Sequence, residues 1–126
     1  MEQIVKLHPQ ERIRQDGEVI AAIYRNLGPA AAGQMVSRAL GELALSMAGL
    51  AAQVRQHDLN DLGRQMQKLR AMADNLGMTS LALVAMDARG CLERCDGTAF
   101  AAVWARLLRV AERSLRPDQD FADLSG

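Results

Sequence analysis

The chain has 126 residues, enough for one domain and too few for a second core of ordinary size. Its fifteen basic and fifteen acidic side chains cancel, which removes the basic field of a nucleic-acid binder and the polybasic strip of a membrane-surface helix. Hydrophobic residues make up 49% of the chain but aromatic ones only 3%, so the core must be built from Leu, Ala, Val and Met, a palette suited to close-packed helices.

The stretch from Met1 to Pro9 has no long apolar segment behind its basic residue and does not read as a secretory signal. Charges interrupt every apolar run before the roughly 20 residues that a membrane span needs. A soluble, cytoplasmic protein is therefore expected, with no membrane or nucleic-acid partner. In a reducing cytoplasm Cys91 and Cys95 remain thiols, and no His or further Cys is spaced to complete a metal site with them. Neither a metal nor a cofactor is expected.

After a lead-in over residues 1–15, a short helix is predicted from about Asp16 to Asn26, followed by four long ones between residues 29 and 115. Gly28-Pro29 opens the first long helix, because proline at the first helical position gives up an N–H that would have no partner anyway. Val36, Leu40, Leu43, Met47, Leu50 and Val54 recur at steps of four and three, and the helix should end near Gln56 or His57. Asp58 is placed to cap the next, whose seam runs through Leu59, Leu62, Met66, Leu69, Ala73 and Leu76 before Gly77 ends it in the left-handed conformation. Thr79 or Ser80 caps the third, with Leu81, Val84, Ala85, Ala88, Leu92 and Cys95 inward. The fourth runs from Thr98 through Phe100, Val103, Trp104, Leu107, Val110, Ala111 and Leu115, before Pro117 and a polar tail over residues 116–126. Joints this short make successive helices antiparallel. The fold class predicted is all-α, an up-down antiparallel four-helix bundle with a short N-terminal helix, in a single domain.

Helical phase at about 100° per residue puts Gln67 about 130° from the centre of its seam, on the solvent side. The same strip carries Asn60, Arg64, Ala71 and Asp74, with Gly63 and Arg70 at its margin. Small residues thus flank Gln67 one turn before and one turn after, at Gly63 and Ala71, and Arg64, Lys68 and Arg70 surround it with positive charge.

The run Gln67-Lys68-Leu69-Arg70-Ala71-Met72-Ala73-Asp74-Asn75-Leu76-Gly77 resembles the phosphate-accepting helix of histidine phosphotransfer (HPt) domains. That family carries a pattern like His-x-Leu-Lys-Gly-Ser-Ala followed by Asn-Leu-Gly. Leu69, Arg70, Ala73, Asn75, Leu76 and Gly77 fit or substitute conservatively, whereas Gln67 stands at the histidine, Ala71 at the usual glycine and Met72 at a frequent serine. The resemblance covers roughly Pro29 to Leu115 and is specific only over Met66 to Gly77. It implies a bundle that docks the receiver domain of a response regulator, or a histidine kinase, through the strip Asn60, Gly63, Arg64, Gln67, Lys68, Arg70, Ala71 and Asp74. Phosphotransfer needs a nucleophilic nitrogen, which neutral imidazole supplies; the glutamine amide nitrogen has its lone pair delocalised into the carbonyl. A degenerate, non-enzymatic binding module follows.

Two alternatives stand beside it. His57, next to Asp58, would serve as acceptor in an active phosphotransfer protein; His8 has less claim. A structural or self-associating bundle would instead present an exposed apolar patch and owe nothing to Gln67, Arg64 or Arg70. No carboxylate pair, Gly-rich phosphate loop or nucleophile elbow points to another enzyme.

Overall fold

The computed structural model describes residues 15–115, so the lead-in up to residue 14, with His8, and the tail from residue 116 lie outside the described residues. The chain is all-helical over this span, with α1 Gly17–Leu27, α2 Pro29–Arg55, α3 Leu62–Asn75, α4 Thr79–Glu93 and α5 Gly97–Ser114.

The Asp16 side chain caps α1 by accepting the Glu18 N–H at 3.1 Å. Gly28, at φ +83° and ψ 162°, makes the corner into α2, in a region open essentially to glycine alone. Pro29 follows at the start of α2. Val36, Leu43, Met47 and Leu50 are buried from α2, with Leu40 and Val54 packed on the same cluster. Leu62, Met66, Leu69 and Ala73 from α3, Leu81, Val84, Ala85 and Ala88 from α4, and Leu107 and Val110 from α5 complete it. Each fully buried Leu, Val or Met contributes about 1.5–3 kcal/mol over an exposed one. The four-and-three seams of the sequence are therefore the core.

Helices adjacent in sequence are the ones that pack together: α3 with α4 most closely, then α4 with α5, with α2 against α1 and α3. Helix α4 is buried on more than one face, at Leu81, Ala82, Val84, Ala85, Ala88 and Cys91. Its alanines let the neighbouring backbones come near. Phe100 and Trp104, one turn apart on α5, stack with centroids 6.3 Å apart. Helices α2 and α5, which must meet to close a four-membered ring, are not among the pairs in broad contact. Helix α2 is long and apolar enough, by length and composition, for a membrane span, and 22% of its most apolar window is buried.

Several local expectations are corrected. The cap of α3 is Asp61, in the left-handed region at φ +58°, and not Asp58. Oδ1 of Asp58 instead accepts the Asn60 N–H at 3.1 Å, closing a small turn in the joint. Leu59 accordingly sits in that joint, 59% exposed, and not in the seam. Helix α4 is preceded by buried Met78, so Thr79 is already its first residue and neither Thr79 nor Ser80 caps it. Helix α4 ends at Glu93, and Cys95 lies beyond it, exposed at φ +55°, while Cys91 takes the inward position. Asp96 then caps α5, accepting the Ala99 N–H at 3.0 Å, an interaction of about 1 kcal/mol.

Candidate functional site

The middle of α3 is divided sharply between core and solvent. Leu62, Met66, Leu69 and Ala73 are fully buried at steps of four, three and four, which leaves the opposite face to water. Gln67, Lys68, Arg70, Ala71 and Asp74 are exposed on that face together with Arg64. Gly63 is half-buried in the first turn, and a methyl group added to it would meet nothing within 4 Å. Gln67 therefore stands between two positions, Gly63 and Ala71, where no side chain longer than a methyl group rises from the helix.

Asn60 is the strip residue that the structure moves. It lies in the joint before α3, where its carbonyl accepts from Gln53 Nε2 at 3.1 Å, and it does not share the helical face of Gln67. The helix begins three residues later than the sequence spacing suggests, because Asp58 and Asn60 are committed to the turn.

The charge around Gln67 is also more balanced than a count of cations implies. Arg64 pairs with Asp61 at 3.0 Å and Arg70 with Asp74 at 3.1 Å, both exposed. Such exposed pairs contribute about 0–1 kcal/mol, but each brings a carboxylate within contact of the cation and mutes its field. Lys68 has no ion-pair partner among the described residues and is the unneutralised cation of the strip.

An open groove of about 730 Å³ runs beside this strip, between α2 and α3. Lys68, Arg64 and Met72 form its α3 wall, and Glu42, Leu45 and Gly49 its α2 wall. Gln67 is not part of the lining. The α2 wall was missed in reading the sequence, although Glu42, Leu45 and Gly49 recur at steps of three and four just beside the buried Leu43, Met47 and Leu50. That offset seam was the available signal.

His57 sits at the end of α2, exposed and at φ +56°, with its N–H donating to the Val54 carbonyl at 3.1 Å. The neighbouring Asp58 carboxylate is engaged by the Asn60 backbone. His57 belongs to a helix-terminating turn, and α3 does not carry it.

In comparisons with protein-family models, with curated proteins and with solved structures, nothing matches this chain.

Proposed function

We propose that the chain is an HPt-like module without an acceptor histidine, an up-down four-helix bundle that binds a receiver domain in two-component signalling through the α3 face around Gln67 and does not transfer phosphate. A histidine kinase is the other partner of the same chemistry. The observation that carries this reading is the exposed Gln67 between Gly63 and Ala71, with Lys68 alongside, which has no ion-pair partner among the described residues. A surface approaching that face meets the helix backbone closely and finds the Lys68 cation, features suited to an acidic pocket. Glutamine at the centre supplies hydrogen bonds but no nucleophile, so the interaction ends at binding.

The test incubates the protein with phosphorylated receiver domains from its own cell, beside a Gln67→His variant, following binding and phosphate together. Binding by both, with acid-labile phosphate on the variant alone, is the expected result. If neither protein binds any receiver, the docking reading is wrong. Phosphate on the unaltered protein that disappears in His57→Gln would instead support the active alternative.

A further inference from the structure

Helix α2 is the longest element and carries two seams. One, at Ala32, Val36, Leu43, Met47 and Leu50, is the buried core face. The other lies about 125° away at 100° per residue and consists of Ala31, Met35, Arg38, Glu42, Leu45 and Gly49, at unbroken steps of four, three, four, three and four. All six are exposed, Met35 at 51% and Leu45 at 75%. Neither Arg38 nor Glu42 has an ion-pair partner among the described residues, although they lie four apart on one helix. The order of the seam is its most informative property. Read forward it is small, large apolar, basic, acidic, large apolar, small. Turned end for end, it matches itself with the charges exchanged.

We infer that this seam pairs with the same seam of a second copy of the chain, the two α2 helices running antiparallel about a two-fold axis beside residue 40. In that register residue i meets the partner residue whose number completes a sum of 80: Met35 meets Leu45, Arg38 meets Glu42 and Ala31 meets Gly49, each contact occurring twice, as a two-fold interface demands.

The groove between α2 and α3 gives the register a place to sit. Its α2 wall is Glu42, Leu45 and Gly49, the second half of the seam, and the first half is the exposed ridge of Ala31, Met35 and Arg38. The two-fold inserts the ridge of each copy into the groove of the other. Apolar Met35 then enters beside Leu45 and Met72, Arg38 reaches Glu42, and Ala31 closes on Gly49, whose own added methyl would meet nothing within the monomer. A lipid bilayer is the competing occupant of a long apolar helix, but Arg38 and Glu42 lie at mid-helix, where hydrocarbon penalises each heavily. The antiparallel copy neutralises both. This inference does not rest on receiver binding: Gln67 lies outside the groove, although Arg64 and Lys68 belong both to its α3 wall and to the strip proposed to dock a receiver.

Charge exchange in the full chain tests it. Sedimentation of the unaltered protein over a concentration series is expected to show a monomer–dimer equilibrium. Arg38→Glu and Glu42→Arg each place like charges opposite one another twice per dimer, and each should raise the dissociation constant by about ten-fold or more. Both sites are exposed and have no ion-pair partner among the described residues, so circular-dichroism melts taken well below the dissociation constant, where the original is also monomeric, should be nearly unchanged. An equimolar mixture of the two single variants restores both pairs and should recover dimerisation to within about three-fold of the unaltered protein, as should the double exchange in one chain. A protein that stays monomeric to about 1 mM overturns the inference, and does so in favour of the bilayer if it also sediments with phosphatidylcholine or mixed phosphatidylcholine–phosphatidylglycerol vesicles. Single variants that dimerise as well as the original, or fail to rescue each other, overturn it too.

Discussion

The two joints that bracket α3 are built on the same backbone turn and differ in what stands against it. At the end of α2 the Asp58 N–H reaches back to the Gln53 carbonyl at 2.9 Å and the His57 N–H to Val54 at 3.1 Å, with His57 left-handed. At the end of α3 the Met78 N–H reaches Ala73 at 2.9 Å and the Gly77 N–H reaches Asp74 at 3.0 Å, with Gly77 left-handed. Both satisfy the last carbonyls of a helix in the same way. The first turn faces water and accepts a histidine. The second is enclosed by Leu76, Met78 and the start of α1, whose Asp16 N–H donates to the Gly77 carbonyl at 2.6 Å. A methyl group on Gly77 would overlap the Asp16 carbonyl oxygen and stand 3.2 Å from Val19 Cβ. Both joints carry the same left-handed φ strain, and contact with Asp16 and Val19 adds a further requirement for glycine at Gly77 alone.

Gly77→Ala carries the largest effect that follows. A left-handed alanine costs about 1–2 kcal/mol, and the displaced Asp16 backbone loses a hydrogen bond of about 1 kcal/mol with the packing of α1 behind it. The sum is a loss of about 3 kcal/mol, or a melting point lower by roughly 12 °C or more, read by urea and thermal unfolding. A loss under about 1 kcal/mol would mean that α1 is not held at this corner, and the contrast between the joints would collapse.

Gln53→Ala tests the exposed joint. The Gln53 amide donates to the carbonyls of Asp58 at 3.3 Å and Asn60 at 3.1 Å, so one side chain bridges the loop before α3. Its removal should cost about 1–2 kcal/mol and raise amide exchange over residues 58–61 first, leaving residues 76–78 protected. Uniform loss of protection at both joints would show that they unfold as one unit.

How far these features could be read from the sequence divides along the same line. The seams, the termination at Gly77 and the solvent-facing phase of Gln67 are local, because a repeat of four and three specifies them within one helix. The hold of Asp16 on Gly77 joins residues far apart in sequence, and no local pattern encodes it. Asp58 and Asp61 are both plausible caps by residue type; the backbone turn around His57 and the side chain of Gln53 decide between them. Cys95 continues an apolar spacing that the helix itself abandons two residues earlier, at Glu93. In the candidate site the identities around Gln67 were legible, but the pairing of Arg64 and Arg70 with carboxylates and the groove shared with α2 depend on rotamers and on packing between helices.

His57→Gly reverses the sign. Relief of the left-handed side chain outweighs the added chain entropy of glycine by about 0.5–1 kcal/mol, so the variant should be more stable than the parent. Placed beside Gly77→Ala, it asks whether identical hydrogen bonding hides opposite preferences. A destabilised variant would mean that the imidazole makes a contact worth more than the strain.

The smallest effect falls on the site itself. Gly63 lies in the first turn of α3, at φ suited to any residue, and an added Cβ meets only open space. Glycine there costs about 0.5 kcal/mol relative to alanine, and the fold returns nothing for it. Gly63→Ala should therefore stabilise the free protein slightly while weakening receiver binding, because the methyl group stands where a docked surface would meet the backbone one turn from Gln67. The pair of measurements separates two explanations of the same residue. If stability rises and receiver affinity holds, close approach beside Gln67 is not what the glycine provides, and the proposed docking face around Gln67 is wrong. If affinity falls while stability rises, the strip has traded helix stability for access, which a merely solvated helix face has no cause to do.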